Sequence, residues 1–221
     1  LIADTDVIDY SGNEKRGTCI EFVPDNSKGP FENYHLRDEF TETMMRNYAY
    51  LNTGLTLNYN GSKYTSKNGL FDLLTDNMTV DPLYPIIHLK GEDIEIALTH
   101  TNQSGEEYHS FVNGQHTIQG GTHQAALREA IGRTIKEFYN KNFELSDIRS
   151  GVVGAIAINV SEPVFESQTK VKLGSKDMAP EGGLSVNKFV NDFVKQQLDN
   201  YLHKHPEVAE IMLQTILESE K

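Results

Sequence analysis

The run from Gly151 to Val160, G-V-V-G-A-I-A-I-N-V, constrains this chain more than any other stretch. It is rich in Val and Ile without strict alternation, which predicts a strand buried on both faces. Pro163 cannot donate to a ladder, so the strand is expected to end there and hand over to an exposed loop. That loop, Ser161 to Ser175, reads S-E-P-V-F-E-S-Q-T-K-V-K-L-G-S and presents Gln168, Thr169 and Lys170 together, with Lys172 close behind. A Gln amide donates hydrogen bonds and a Lys ammonium is a compact positive charge, so the pair at a rigid strand end can grip a terminal phosphate. The same residues also read as an ordinary solvated polar loop.

The rest of the chain supplies a setting for that loop. Gly17 to Val23 alternates and predicts a strand, with Cys19 inside it, followed by a loop over Pro24 to Phe31. Leu36, Phe40, Met44, Tyr48 and Leu51 recur at helical spacing and predict an amphipathic helix that stops before Gly54 and leaves Arg46 off its apolar stripe. Gly54 to Ser66 reads as a hairpin around Asn60-Gly61. A short helix is expected over Gly69 to Leu74, a breaker at Pro82 to Pro85, and strands over Ile86–Lys90, Ile94–Thr101 and Glu107–Asn113, together an antiparallel meander.

Gly120 and Gly121 permit a tight turn or a close backbone approach, and Thr122 is the expected N-cap of a helix carrying Leu127, Ile131, Ile135 and Phe138. Gly174 to Gly183 reads as a linker. Ser185 caps a long helix with Phe189, Val190, Phe193, Val194, Leu198 and Tyr201, and Pro206 opens a last helix with Val208, Met212 and Ile216 inward.

Composition narrows the chemistry. With 32 acidic against 20 basic residues the net charge is -12, which argues against a broad nucleic-acid surface while leaving room for a local basic groove. One cysteine excludes an internal disulfide framework and any multi-cysteine metal site. No apolar stretch reaches the roughly 20 residues of a membrane span and no signal peptide opens the chain, so a cytoplasmic protein without a membrane partner is expected. The first residue is not Met, so a fragment of a longer chain is expected. Four tripeptides at Asn60, Asn77, Asn102 and Asn159 fit the glycosylation sequon and read as chance matches. There is no phosphate loop, dinucleotide fingerprint, H-E-x-x-H or nucleophile elbow, and His116 and His123 have poor metal-ligand spacing. Gln168 and Lys170 alone lack a base for water and ligands for Mg²⁺, so the residues by themselves predict an accessory phosphate-sensing module.

Taken together, G-T-C-I-E-F-V-P-D at 17 to 25, Y-A-Y-L-N-T-G-L at 48 to 55, F-V-N-G-Q-H-T-I-Q-G-G-T-H at 111 to 123 and E-P-V-F-E-S-Q-T-K-V-K-L-G-S at 162 to 175 resemble the second, transducer domain of the B subunit of bacterial type IIA DNA topoisomerases. The stretches S-K-N-G-L-F-D-L-L, L-Y-P-I-I-H-L-K-G-E-D-I-E and D-N-Y-L-H-K-H-P-E look more like topoisomerase IV than gyrase. The resemblance implies an α+β fold like domain 2 of ribosomal protein S5. In it a mostly antiparallel sheet packs on helices, with a left-handed βαβ crossover and a helical C-terminal extension.

It also implies residues 1–16 as a linker from an upstream ATPase domain, 17–183 as the transducer, and 184–221 as the extension toward a cleavage core. Gln168 and Lys170 would contact the γ-phosphate of ATP, bound with Mg²⁺ mainly by the upstream domain. Ser167 stands where the family more commonly has Gly. Arg46 would line the cavity that holds transported double-stranded DNA. The implied partners are that DNA, the A subunit carrying the cleavage tyrosine, and a second copy of the B subunit, in a nucleoid-associated enzyme. A stand-alone interaction module, or the transducer of gyrase or of a mismatch-repair ATPase, is the alternative.

Overall fold

The computed structural model describes residues 12–13, 17–27, 29 and 32–221. The expected linker at 1–16 therefore lies almost wholly outside the described residues. The chain divides into two compact units, residues 1–38 and 39–221.

In the first unit the strand expected over Gly17 to Val23 does not form. Ile20, Phe22 and Val23 are 80, 73 and 88% exposed, and Cys19 is exposed too. Alternation gives a segment two faces, but a strand also needs a neighbour for its backbone groups. No strand among the described residues of this unit offers one.

The second unit is built on a five-stranded sheet. Its strands are β3 (Ile87–Gly91), β4 (Ile94–His100), β5 (Glu107–Val112), β6 (Gln115–His116) and β7 (Val152–Ile158). The spatial order is β3-β4-β7-β5-β6, so the expected meander is interrupted: β7 enters between β4 and β5. It pairs antiparallel with β4 (Ile96 opposite Ile156) and parallel with β5 (Ser110 opposite Ile156). The central place follows from its composition, because only a strand apolar on both faces loses nothing when both are covered.

One face of the sheet carries Ile96, Leu98, Val112, Val152, Ile156 and Ile158 into a core shared with helices α3 (Thr122–Tyr139), α4 (Leu145–Arg149), α5 (Val186–Lys204) and α6 (Pro206–Ser219). The other carries Ala97, Phe111, Val153 and Ala155 against Tyr50 of α1 (Asp38–Leu51) and Leu70, Leu73 and Leu74 of α2 (Leu70–Asn77). Each fully buried aliphatic side chain contributes roughly 1.5–3 kcal/mol. The two C-terminal helices belong to the main core through Val190, Val194, Leu198, Val208, Met212 and Ile216, all at most 2% exposed. β5 and β7 are parallel neighbours joined through α3 and α4, a βαβ unit.

Local signals account for many boundaries. β1 (Leu57–Tyr59) and β2 (Ser62–Tyr64) flank Asn60 and Gly61, both at positive φ (48° and 82°), as a two-residue hairpin turn of matching twist requires. Ser185 accepts a hydrogen bond from Lys188 N–H at 3.0 Å and caps α5, and Pro206 stands in the first turn of α6. β7 stops at Ile158, short of Pro163, because Asn113 takes over the pairing. Its amide donates to the Val160 carbonyl (2.8 Å) and its oxygen accepts from Val160 N–H (2.7 Å).

Helix α1 buries a different face from the one its stripe predicts. Thr41, Ala49 and Tyr50 are buried, while Phe40 and Met44 are 64 and 46% exposed. Tyr50 also donates to Asp76 on α2 at 2.6 Å, a long-range bond that sets the helix rotation.

Candidate functional site

The Q-T-K loop is a folded element. Phe165 and Leu173 form an antiparallel bridge, and Glu166 N–H donates to the Lys172 carbonyl at 3.0 Å. Lys170 N–H donates to the Ser167 carbonyl at 3.0 Å, closing a turn in which the Ser167 and Thr169 hydroxyls lie 2.7 Å apart. Lys170 itself sits in the left-handed region (φ 57°), a conformation that costs an L-residue roughly 1 kcal/mol and is held by the closed turn. Below the tip, Lys172 pairs with Glu166 at 3.0 Å, half-exposed and therefore worth at most about 1 kcal/mol.

The loop is fastened to the start of α3. Gln119 N–H donates to the Val171 carbonyl (2.9 Å), Leu173 N–H to Gly120 (3.1 Å), and Thr122 N–H to Leu173 (3.1 Å). Thr122 is not the N-cap; that place falls to Gly121, and the Thr122 hydroxyl instead donates to the Ser175 carbonyl at 2.7 Å. Gly121 stands at φ 132°, and a Cβ there would lie 2.3 Å from the Leu173 oxygen. Gly121 therefore serves close backbone approach, while Gly120, at φ 73° with only the Gln124 side chain near its missing Cβ, serves the turn.

Gln168 and Lys170 are exposed at the tip. Two cations that line the cavity beside the loop are neutralised: Lys172 by Glu166, and Arg128 by Glu106, which it meets through two 2.8 Å bonds. Lys170 has no ion-pair partner among the described residues, so the loop tip presents one uncompensated ammonium beside one free amide. The Lys170 ammonium and the Gln168 amide NH2 both donate, which suits them to the acceptor oxygens of a phosphate. A cavity of about 380 Å³ lies beside the loop, lined by Gln119, Gln124, Arg128, Glu166 and Lys172.

Under the glycine pair is a buried polar cluster invisible in the sequence. Thr117 donates both its N–H and its hydroxyl to the Ser110 carbonyl on β5, each at 2.8 Å. With that hydroxyl proton committed, the 3.1 Å contact to His123 has Nε2–H donating to Thr117. His123 Nδ1 is then a bare acceptor without a partner. Burial holds the imidazole neutral, with its pKa lowered to about 4. His116 stacks on Phe111 at 4.9 Å. Among the described residues no group of His, Cys, Asp and Glu is arranged to hold a metal, and no helix is long and apolar enough to cross a membrane.

Arg46 is not brought to the loop. It lies exposed on α1, 3.9 Å from Glu42 and with its guanidinium 5.9 Å from the Tyr64 ring centre. α1 belongs to the layer under the other face of the sheet from α3.

This arrangement of sheet, helical layers and docked loop is the fold of type II topoisomerase ATPase-region structures. The 43K ATPase domain of Thermus thermophilus gyrase B superposes with a TM-score of 0.70 at 22% identity, covering 89% of this chain and 56% of that one. The topoisomerase IV ATP-binding domain of Francisella tularensis gives 0.64 at 23% identity over 84% and 53%.

The family model described as DNA gyrase B matches residues 57–221, and the chain belongs to that family. It is 36% identical over 214 residues to the B subunit of DNA topoisomerase 4 from Borreliella burgdorferi, a match that covers 96% of this chain and 34% of that protein. It is 29% identical over 231 residues to the B subunit of DNA gyrase from Helicobacter pylori, covering 96% and 29%. The chain thus spans 34% and 29% of the length of these two relatives.

Proposed function

We propose that this chain is the transducer region of a type IIA topoisomerase B subunit. In this reading it couples ATP binding and hydrolysis in an upstream domain to gate closure around double-stranded DNA and to strand passage. Residues 1–16 lead from the ATPase domain, 17–183 form the transducer, and 184–221 lead on toward the cleavage core while still packing on the sheet. The observation that carries the reading is the docked loop with the uncompensated Lys170 and the free Gln168 at its tip, in a chain of the DNA gyrase B family.

The donor set fits the γ-phosphate of ATP. Lys170 supplies charge and Gln168 supplies N–H donors, while the nucleotide and its Mg²⁺ are held mainly by the upstream domain. Both residues gain charge-assisted bonds when the terminal phosphate is present and lose them after its release, and that difference biases a rotation of the whole domain. The chain works with an A subunit and a second copy of itself in the bacterial cytoplasm. Arg46, held near Tyr64 but exposed, touches the transported duplex transiently, which is compatible with a net charge of -12.

The test is steady-state ATP hydrolysis and DNA relaxation by the full-length chain with its partner subunit, comparing Lys170→Ala with wild type. Both activities fall about 100-fold, the scale of one lost charge stabiliser. Unchanged activities would return Q-T-K to a solvated loop and favour a stand-alone docking module.

A further inference from the structure

The limb of the loop that follows Gln168 and Lys170 is welded by hydrogen bonds to the entry of α3, away from the exposed tip. Between Gln119 and Thr122 four hydrogen bonds join the loop's returning limb to the entry of α3: Gln119 N–H to the Val171 carbonyl, Leu173 N–H to the Gly120 carbonyl and Thr122 N–H to the Leu173 carbonyl at 2.9–3.1 Å, and the Thr122 hydroxyl to the Ser175 carbonyl at 2.7 Å. Leu173, only 1% exposed, sits in the main core, while Lys170 three residues away is exposed. The loop is also internally rigid, with the Glu166–Lys172 and Lys170–Ser167 backbone bonds and an ion pair across its base.

On the far side of the weld, Gly120 N–H donates to the Thr117 carbonyl and Thr117 is pinned twice to Ser110 on β5. The 18 residues of α3 follow without a break and pack along α5. A push at the tip therefore meets no hinge before it reaches the helix start; it is passed to α3 as a unit, because packed elements shift as rigid bodies.

We propose that Gly121 and Thr122 are positioning residues that transmit the state of the Q-T-K loop to helix α3. The inference rests on the phosphate-contact reading of Gln168 and Lys170 and adds where its signal enters the helical layer. Gly121 is required because any Cβ would strike the Leu173 backbone, at 2.3 Å from O and 2.6 Å from N. Thr122 is required for its hydroxyl, which reaches two residues past the backbone bridge and holds the loop's exit.

The experiment uses the full-length chain with its partner subunit and three variants, Gly121→Ala, Thr122→Val and Thr122→Ser, with Lys170→Ala alongside. Two quantities are read: amide exchange at Leu173, and the number of DNA relaxation events per ATP hydrolysed. Gly121→Ala and Thr122→Val accelerate exchange at Leu173 and lower relaxation per ATP about fivefold to tenfold, the scale on which one hydrogen bond weights an equilibrium, and Thr122→Ser restores both. Thr122→Val guards against misfolding of the alanine variant, since it keeps shape and removes only the hydroxyl.

Faster exchange with an unchanged ratio would overturn the transmission role, and unchanged exchange in both variants would overturn the weld itself. Unchanged ATP hydrolysis in Lys170→Ala would instead sink the phosphate-contact reading. Loss of hydrolysis there, with coupling intact in the other variants, would sink only the transmission role.

Discussion

Glu106 accepts from Arg128 through both carboxylate oxygens at 2.8 Å, joining the entry of β5 to the middle of α3. Arg149 of α4 adds a third bond at 3.2 Å and Tyr108 a fourth at 2.7 Å. Burial alone would raise the carboxyl pKa, but the hydrogen bonds from Arg128, Tyr108 and Arg149 outweigh it and hold the group at about 2. The folded value lies below the unfolded one, so the stabilisation is present above about pH 4.5 and is lost as pH falls through 2. Screened by the solvent that reaches this site, it amounts to about 1–2 kcal/mol. Glu106→Gln is expected to lower urea stability by that amount at pH 7 and to flatten the acid limb between the two values. Parallel curves for variant and wild type would refute it.

His123 gives the same sign in a higher pH window. Desolvation lowers its pKa from 6.5 to about 4, so the unfolded chain binds the extra proton between those values. Its contribution is complete above pH 6.5 and declines by up to about 3 kcal/mol as pH falls to 4. His100 is also buried and lowered by desolvation, so His123→Leu removes only part of the dependence. Imidazole titration by NMR decides the matter: a His123 signal moving near pH 6.5 in the folded protein contradicts it.

Tyr84 and His100 form a sealed pair, with the His100 Nε2–H donating to the Ile148 carbonyl at 2.7 Å and Nδ1 accepting from the Tyr84 hydroxyl. Both side chains are at most 2% exposed. Tyr84→Phe strands the Nδ1 acceptor and is expected to cost roughly 1–3 kcal/mol. The denaturation midpoint should fall with an unchanged slope; no fall would mean that water or another donor replaces the phenol.

Ile131 and Met44 test which helical faces carry the core. Ile131 is fully buried, and Ile131→Ala is expected to cost about 2–5 kcal/mol. Met44, 46% exposed on α1, should change stability by no more than about 0.5 kcal/mol when replaced by Ala. Equal losses would show that the apolar stripe of α1 is buried after all.

The parts legible in the sequence are those decided within a few residues. The doubly apolar run became β7, Asn60-Gly61 became the hairpin turn, Ser185 and Pro206 opened their helices, and the Q-T-K tip is exposed as its polarity requires. In each case the backbone preference or side-chain chemistry of the residue itself selects the conformation. Gly121 was readable as a site of close approach, but its partner, Leu173, was not, because it lies 52 residues away.

By itself, then, the sequence determined most of the elements from α1 onward, their order and the chemistry offered at the loop tip. Tertiary structure alone decided the rest: that β7 separates β4 from β5, that α1 turns Tyr50 inward and Met44 outward, and that Thr122 spends its hydroxyl on Ser175. It also decided that Gly17 to Val23 remains unpaired among the described residues. The physical reason is common to all four. Period and propensity specify what a segment is able to form, whereas strand order, helix rotation and the partner of a polar group depend on which distant surface arrives, and that is settled only when the whole core packs.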